Sequence, residues 1–358
     1  QSQGIPVLVS IGGQNGHVVL NTIAQKDTFI QGVIDIIEEY GFDGLDIDFE
    51  GGSMNFGGGS LTDFSYATIS NGNYPKLKNV VDAITEIDAH FGEGFHLTAA
   101  PELFYVQVGY GTYTDMAGSF LPVIDNIRNI LDYIHVQLYN SGGVVALDNQ
   151  GYSTGTADFV VAMTDMLLKG FDVATTGIHF NALSQSQVVI GLPACPNAAP
   201  AGGYVTPNDL CNALYYLTQG ISFGGSYNTQ AAVYPNLRGA MTWSVNWDKM
   251  SNCGGEWEFS NNIWDFFNPV LTEAETNEIL TSDYFVFPNP ANDIINIVCP
   301  EIKDNTEIRI FDINGKLMMK KKICTSSHKI DLSTFPTGEY FIIIKNSLSK
   351  KVFPVIHL

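Results

Sequence analysis

The segment FDGLDIDFE, residues 42–50, places four acidic residues among large apolar ones. Side chains of a β-strand point alternately to its two faces. We therefore predict a strand with Asp46, Asp48 and Glu50 on one face, and with Asp43 at its entrance. Three carboxylates on one face of a buried strand are costly through repulsion and lost hydration, which indicates a functional site. A metal site and a solvated edge strand are the alternatives.

The composition describes a globular chain of 358 residues, 45% of them hydrophobic, with a net charge of −20. A binder of phosphate backbones needs a basic surface, so the charge argues against nucleic acid, whereas a neutral substrate such as a carbohydrate is compatible with it. The charge is uneven along the chain. Residues 1–280 carry −22 and residues 281–358 carry +2, which indicates two domains.

The five cysteines lie at positions 195, 211, 253, 299 and 324 without a CxxC spacing, and no histidine falls in a ligand pattern. We expect neither a metal site nor a cofactor. Cys299 and Cys324 could pair, and the odd total leaves at least one thiol free or paired outside this chain. No apolar run reaches the length of a transmembrane helix. The chain opens on Gln1 without the basic and apolar segments of a signal peptide.

Apolar runs alternate with helical patterns from residue 5 to residue 267. Six predicted strands, each followed by a helix, cover residues 5–11, 42–50, 95–100, 133–138, 187–192 and 237–244. This alternation predicts a parallel α/β architecture, and polar residues directly after the strands place the chemistry at their carboxyl ends. The first helix is predicted over residues 27–40, with Asp27 as its N-cap and Gly41 as its stop.

The pattern changes after residue 270. Residues 271–282 read as a linker, and residues 283–358 as short strands broken by turns. Asn314-Gly315 lies between two such strands and is a strong hairpin signal. The sequence therefore predicts a domain of residues 1–270, a linker and a small all-β sandwich.

FDGLDIDFE resembles the DGxDxDxE signature of glycoside hydrolase family 18, the chitinases and their relatives. Four further segments are similar to family motifs in the same order: Ser10–Gly13 (SIGG), Ala99–Glu102 (AAPE), Val136–Asn140 (VQLYN) and Gly239–Asp248 (GAMTWSVNWD). The resemblance implies a (β/α)8 TIM barrel of which the chain holds strands three to eight and lacks the first two βα units. We expect a fragment without its N-terminus; a natural six-stranded form is the alternative.

The resemblance, closest to the bacterial chitinases, implies hydrolysis of β-1,4 linkages between N-acetylglucosamine units of chitin and chito-oligosaccharides. The mechanism it implies is retaining and substrate-assisted, with the sugar's acetamido oxygen as nucleophile. Glu50 is then the general acid, and its acid form is favoured by repulsion from Asp48. Asp48 would hold the acetamide N–H, Asp46 would share a proton with Asp48, and Tyr139 would donate its hydroxyl to the acetamido oxygen.

Five further residues are predicted to bind substrate or to support the site. Ser10 would hydrogen-bond Asp46, and Trp243 would form the floor of the −1 subsite, with a place in the core as the alternative. The others are Gln137, Glu102 and Asn140. About 45 residues separate Pro193 from Arg238, too few for the α+β insertion of processive family members, so an open groove and endo cleavage are expected. An endo-β-N-acetylglucosaminidase acting on N-glycans and a non-hydrolytic chitin-binding protein are the alternatives.

The C-terminal domain resembles the sorting domain of the type IX secretion system of Bacteroidetes. The similar segments are Pro288–Ala291 (PNPA), Ile310–Lys316 (IFDINGK), Pro336–Ile342 (PTGEYFI) and the terminus from Lys350. The resemblance implies a secreted or cell-surface protein that engages the type IX machinery, with an export signal upstream of Gln1. A carbohydrate-binding sandwich is the alternative, but this domain has no tryptophan for stacking on sugars. We expect a monomer.

Overall fold

The computed structural model describes residues 4–56, 61–230, 233–250, 255–267, 284–298, 306–323, 327–346 and 350–358. The chain divides into two units, Gln1–Trp257 and Glu258–Leu358. The predicted linker, residues 271–282, and the predicted cysteine pair at 299 and 324 lie outside the described residues. The last helix of the predicted first domain, which ends at residue 267, belongs to the second unit.

The first unit contains ten strands in its described part. In chain order they are β1 (Leu8–Gly12), β2 (Gly44–Asp48), β3 (His96–Ala99), β4 (Tyr133–Ile134), β5 (Val144–Val145), β6 (Gly151–Tyr152), β7 (Gly170–Val173), β8 (Ile178–Asn181), β9 (Val189–Pro193) and β10 (Gly239–Trp243). Six of them correspond to the predicted strands. The hairpins β5–β6 and β7–β8 were not predicted.

The helices of this unit are α1 (Ile23–Tyr40), α2 (Tyr66–Ile69), α3 (Pro75–Phe91), α4 (Leu121–Ile127), α5 (Ala157–Lys169), α6 (Pro207–Gln219) and α7 (Val245–Lys249). Helix α1 begins four residues before the predicted start, because Thr22 and Gln25 form a capping box. The prediction of Asp27 as the N-cap was therefore wrong. Gly41 ends the helix in the left-handed region as predicted, with φ at 66°.

The parallel strands follow one another in chain order. Strands β1 to β4 form one sheet, and β9 pairs with β10. Single parallel bridges from Ile134 to Val188 and from Gln137 to Gly191 join β4 to β9. The predicted strand 133–138 is thus shorter, because beyond Ile134 its pairing is reduced to single bridges. In the described residues β1 and β10 end the series without pairing with each other, so the sheet does not close into a barrel.

The carboxyl ends of β1 and β2 approach each other very closely. A Cβ atom on Gly12, whose φ is 126°, would lie 1.9 Å from the backbone oxygen of Asp48. The next amide, Gly13 N–H, donates to that same oxygen at 2.7 Å. Only glycine fits this position, so the SIGG segment fixes the backbone at the point where the acidic strand ends.

The second unit begins with helix α8 (Glu258–Phe267) and continues as an all-β domain. Its strands are β11 (Phe285–Phe287), β12 (Ile294–Val298), β13 (Glu307–Asp312), β14 (Leu317–Lys322), β15 (Ser327–Asp331), β16 (Gly338–Lys345) and β17 (Lys350–His357). They form two antiparallel sheets, ordered β11-β12-β15 and β14-β13-β16-β17. Buried isoleucines of both sheets share one core, which confirms the predicted sandwich. Asn314-Gly315 closes the predicted hairpin between β13 and β14.

Two further features bear on the predictions. Cys195 and Cys211 are disulfide-bonded, which the cysteine spacing did not predict. Across the described ranges, no helix is both long enough and apolar enough to cross a membrane.

Candidate active site

Strand β2 and the two residues after it carry the three predicted acids at the carboxyl end of the sheet. Asp46, Asp48 and Glu50 are called the file below. Leu45 and Ile47 are completely buried on one face. Asp46 and Asp48 have the opposite parity, and Glu50 follows them two residues after the strand ends. Side chains from neighbouring strands contact all three carboxylates, so these acids face one common site.

Asp46 is the most deeply held of the three, with 8% of its surface exposed. Ser10 Oγ donates to its Oδ2 at 2.7 Å, which is the hydrogen bond that was expected from the neighbouring strand. Thr98 Oγ1 donates to Oδ1 at 2.6 Å, and His135 Nε2 lies 3.0 Å from the same oxygen. Burial raises the pKa of Asp46, but the hydrogen bond and Coulomb attraction of His135, together with the hydrogen bonds from Thr98 and Ser10, hold it below its ordinary value. The anion is therefore the favoured form of Asp46.

Gln137 joins the other two acids. Its Nε2 lies 3.0 Å from Asp48 Oδ1 and 2.8 Å from Glu50 Oε1, and it also donates to the carbonyl of Ala100 at 2.9 Å. The backbone of Gln137 bridges Gly191, and its side chain is almost wholly buried. The amide thus fixes the spacing between Asp48 and Glu50. The predicted contact of Gln137 with a sugar stays a prediction.

The carboxyl group of Asp48 has a raised pKa. Burial, then the charges of Glu50 and Asp46, then a hydrogen bond shared with Glu50 raise the pKa of Asp48 to about 7, against a small lowering by Gln137. The sequence predicted that repulsion would favour the acid form of Glu50, and that Asp46 and Asp48 would share a proton. In this structure three donors already satisfy Asp46, and Asp48 shares its hydrogen bond with Glu50. The catalytic roles of all three residues stay predictions.

Tyr139 and Glu102 lie around this file. Tyr139 is buried, and burial together with the charges of Asp48 and Glu50 raises its pKa, so its hydroxyl remains a hydrogen-bond donor. Burial, followed by the charge of Glu50, raises the pKa of Glu102. Tyr105 donates to the carbonyl of Gly51 at 3.1 Å. Tyr139 and Glu102 therefore lie within electrostatic reach of Glu50, as their positions after two strands predicted.

Two other predicted residues are Trp243 and Asn140. Trp243 ends β10 with 51% of its surface exposed, so it is not a core residue in this structure. Asn140 has a left-handed backbone, and its Oδ1 accepts from the amide of Ala201 at 3.2 Å. Its own amide donates to the carbonyl of Gly202. Asn140 therefore anchors the loop after β9, and its predicted contact with substrate stays a prediction.

Thr98 and His135 are functional-site residues that the sequence analysis missed. Thr98 pairs with Asp46 in the β2–β3 register, just as Ser10 pairs with Asp46 on the other side. His135 has the same parity as Gln137 and Tyr139, so the alternation along residues 133–139 was the available signal. The register between strands distant in sequence was needed to find Thr98.

The arrangement provides carboxylates and hydroxyls for proton transfer and for contact with a polar, neutral ligand. Asp46, Asp48 and Glu50 are engaged with hydrogen-bond donors or with one another, which is the arrangement of acid–base groups. Throughout the part of the chain that the structure describes, no group of three or more His, Cys, Asp or Glu residues is arranged to hold a metal ion.

Comparisons with known proteins agree with this geometry. The family model for glycosyl hydrolases family 18 matches residues 1–269, and the model for the secretion system C-terminal sorting domain matches residues 285–356. The sorting domain supports a secreted or cell-surface protein.

Three relatives illustrate the similarity. Chitinase ChiA of Flavobacterium johnsoniae is 46% identical over 371 residues, which covers 100% of this chain and 23% of that protein. Chitinase Chi52 of Paenibacillus xylanexedens is 45% identical, covering 78% of this chain and 52% of that protein. The crystal structure of a family GH18 chitinase from Chromobacterium violaceum superposes with a TM-score of 0.64 at 36% identity, covering 74% of this chain and 65% of that one.

The chain thus spans about a quarter of the first curated relative and about half of the second. The structural neighbour implies a TIM-barrel-like α/β fold, although the sheets described here do not form a closed barrel. The family match covers the acidic strand and the segments that surround it. The chain belongs to glycosyl hydrolases family 18.

Proposed function

We propose that this chain carries the catalytic site of a chitinase, which cleaves β-1,4 linkages between N-acetylglucosamine units. The observation that carries the proposal is the file Asp46, Asp48 and Glu50, in which Gln137 links the last two acids and Asp48 has a pKa of about 7. A proton is therefore available beside Glu50 near neutral pH, which is what a glycosidic leaving group requires. The chitinases among the relatives favour chitin as substrate.

In the first step, Glu50 in its acid form donates a proton to the glycosidic oxygen. The 2-acetamido oxygen of the sugar on the non-reducing side attacks C1, and the bond from C1 to the leaving oxygen breaks. The product is an oxazolinium ion, whose ring N–H would donate to Asp48. Glu50, now a carboxylate, then takes a proton from water as that water attacks C1. The bond from C1 to the acetamido oxygen breaks and the acetamide re-forms, which restores the acid and gives net retention.

Two neighbours would support this sequence. Tyr139 keeps its hydroxyl proton because burial raises its pKa, so it would donate to the acetamido oxygen and hold it toward C1. Asp46 is held as an anion by three donors, so it would stabilise positive charge on the oxazolinium ion through Asp48. Trp243, half exposed at the end of β10, offers an apolar face for the sugar ring.

We propose endo cleavage in an open groove. Between the end of β9 and the start of β10, the described residues contain one 3-10 turn and helix α6, with no additional sheet that could form a wall over the site. A groove without such a wall lets a polymer bind along its length rather than by its end. That geometry supports the proposal of cleavage within the polymer.

The test is a comparison of substrates. The protein should release oligosaccharides from chitohexaose and colloidal chitin, with internal bonds cleaved first and with the β-anomer formed first in proton NMR. A high-mannose glycoprotein serves as the competing substrate. Release of free N-glycans without cleavage of chito-oligomers would instead identify an endo-β-N-acetylglucosaminidase, and binding of chitohexaose without any product would identify a chitin-binding protein.

A further inference from the structure

His135 directly follows β4, the strand that pairs with β3, which carries Thr98. Its Nε2 lies 3.0 Å from Asp46 Oδ1, and both side chains are nearly buried. Its other ring nitrogen, Nδ1, is buried and has no hydrogen-bond partner. One ring nitrogen of His135 therefore has a hydrogen-bond partner, and the other is buried without one. If the ring carries a single proton and that proton is on Nε2, no polar hydrogen is left without an acceptor.

We propose that His135 is a positioning residue for the hydrolytic site, held as the neutral tautomer that carries its proton on Nε2 and donates it to Asp46. The proposal rests on the function proposed above. His135 touches Asp46 and not the substrate, so it acts on the reaction through that carboxylate.

The hydrogen-bond inventory of the imidazole favours the neutral form. An imidazolium would gain Coulomb attraction to Asp46, but its Nδ1–H would be a buried donor without an acceptor, which is costly for a charged group. In the neutral Nε2–H tautomer, Nδ1 carries only a lone pair, and its burial costs much less hydration free energy. The tautomer with the proton on Nδ1 is worse still, because it would turn a lone pair of Nε2 toward the Asp46 anion.

Charged and titratable groups approach the ring from two sides. The Tyr133 ring, two residues before His135, lies 5.8 Å from the His135 ring, and burial raises the pKa of that phenol, so it is uncharged. The guanidinium of Arg238 lies 4.6 Å from the centre of the Tyr133 ring and adds positive charge on that side. From β2, the Asp46 anion attracts positive charge on the ring, whereas the buried Nδ1, which has no acceptor for a second proton, opposes it.

The consequence for catalysis lies in where the proton of the file resides. Ser10 in β1, Thr98 in β3 and His135 directly after β4 give Asp46 three donors, so Asp46 has no need of a proton from Asp48. That proton is left to the pair Asp48 and Glu50, where the glycosidic oxygen would be protonated. Without the donor at His135, Asp46 competes for the proton.

The direct test is the protonation state of His135 in the full chain without substrate. Long-range proton–nitrogen NMR of the ¹⁵N-labelled protein distinguishes protonated from bare ring nitrogens, and the His135 signal is assigned by its loss in His135→Gln. We expect a protonated Nε2 and a bare Nδ1 in the folded protein at neutral pH. Two protonated nitrogens at that pH, or a proton on Nδ1, would overturn the proposal.

The kinetic test uses a matched pair of variants. His135→Gln keeps an N–H donor near the position of Nε2 but carries no charge, whereas His135→Leu removes the donor. We expect His135→Leu to lower kcat about 10- to 100-fold with KM nearly unchanged. Its acidic limb of kcat/KM should move to higher pH, because Asp46 is protonated more easily. His135→Gln should restore most of kcat and the original pH profile.

These outcomes separate this proposal from the proposed function. Equal losses and equal pH shifts in both variants would mean that the charge of His135 is required, and would refute the neutral tautomer while leaving the chitinase function intact. If the wild-type protein hydrolyses no chito-oligosaccharide, the proposed function fails, and the NMR measurement still decides the tautomer. The wild-type spectrum also decides it if His135→Leu does not fold.

Discussion

The raised pKa of Asp48 makes the stability of this site depend on pH in a direction that can be measured. The folded pKa of about 7 lies above the ordinary value of 3.8. Between these two values the native protein binds more protons at Asp48 than the unfolded chain does. The free energy of unfolding must therefore fall as pH rises through this window. Asp48→Asn removes the carboxylate, so the free energy of unfolding of this variant should lack this dependence on pH.

The magnitude follows from the two pKa values. Their difference corresponds to ~4 kcal/mol as an upper limit. Because the side chain is partly exposed, solvent screening reduces the expected effect to ~2 kcal/mol. We therefore expect the stability of Asp48→Asn relative to wild type to be ~2 kcal/mol more favourable at pH 8 than at pH 4.

The assay is urea unfolding of both proteins at the two pH values, followed by tryptophan fluorescence. All four tryptophans lie before residue 268, so the signal does not come from the C-terminal sandwich. Glu50→Gln provides a second arm, because it removes the largest charge acting on Asp48 and should reduce the pH dependence in part. A stability difference between wild type and Asp48→Asn that is the same at both pH values would refute the reasoning.

Three further substitutions test other parts of the structure. Tyr139→Phe removes the proposed donor and should lower kcat about 100-fold with little change in oligosaccharide binding; a kcat within twofold of wild type would exclude that role. Asp165, which is fully buried in α5, accepts hydrogen bonds from two tyrosine hydroxyls and one backbone amide. Asp165→Asn removes the charge of this acceptor and should lower the free energy of unfolding in urea by about 3 kcal/mol. A loss below about 1 kcal/mol would contradict the importance of this network. Gly203→Ala places a Cβ 2.4 Å from Tyr139 Cα at a φ of 106°, so it should lower both the unfolding free energy and kcat, whereas Gly142→Ala meets no atom within 4 Å and should change neither.

The sequence predicted the acidic strand well because its evidence is local. Alternation along residues 42–50 is enough to assign Leu45 and Ile47 to the core and Asp46 to the opposite face, and both assignments are confirmed. The hairpin at Asn314-Gly315 was predicted for the same reason: turn chemistry is contained in two residues. Segments of this kind need no knowledge of distant partners.

Features that depend on distant partners were missed. Thr98 joins the site only because β3 pairs with β2 in a register that sets it opposite Asp46. The donors to Asp46 were missed in part for the same reason, because they come from β1, from β3 and from the residue directly after β4. At α1 the error was local, since the capping box at Thr22 was available in the sequence and Asp27 was chosen instead.

The central claim is that Glu50 is the proton donor for glycosidic cleavage. Its most direct test is turnover of chitohexaose by wild type and Glu50→Gln, with binding measured on the same two proteins by calorimetry. Gln137 already donates an amide hydrogen to Glu50 Oε1, and the glutamine oxygen can accept it, so the site should keep its shape. We expect kcat to fall roughly 1,000-fold or more and Kd to change less than about threefold. Hydrolysis by Glu50→Gln at a substantial fraction of the wild-type rate would contradict it.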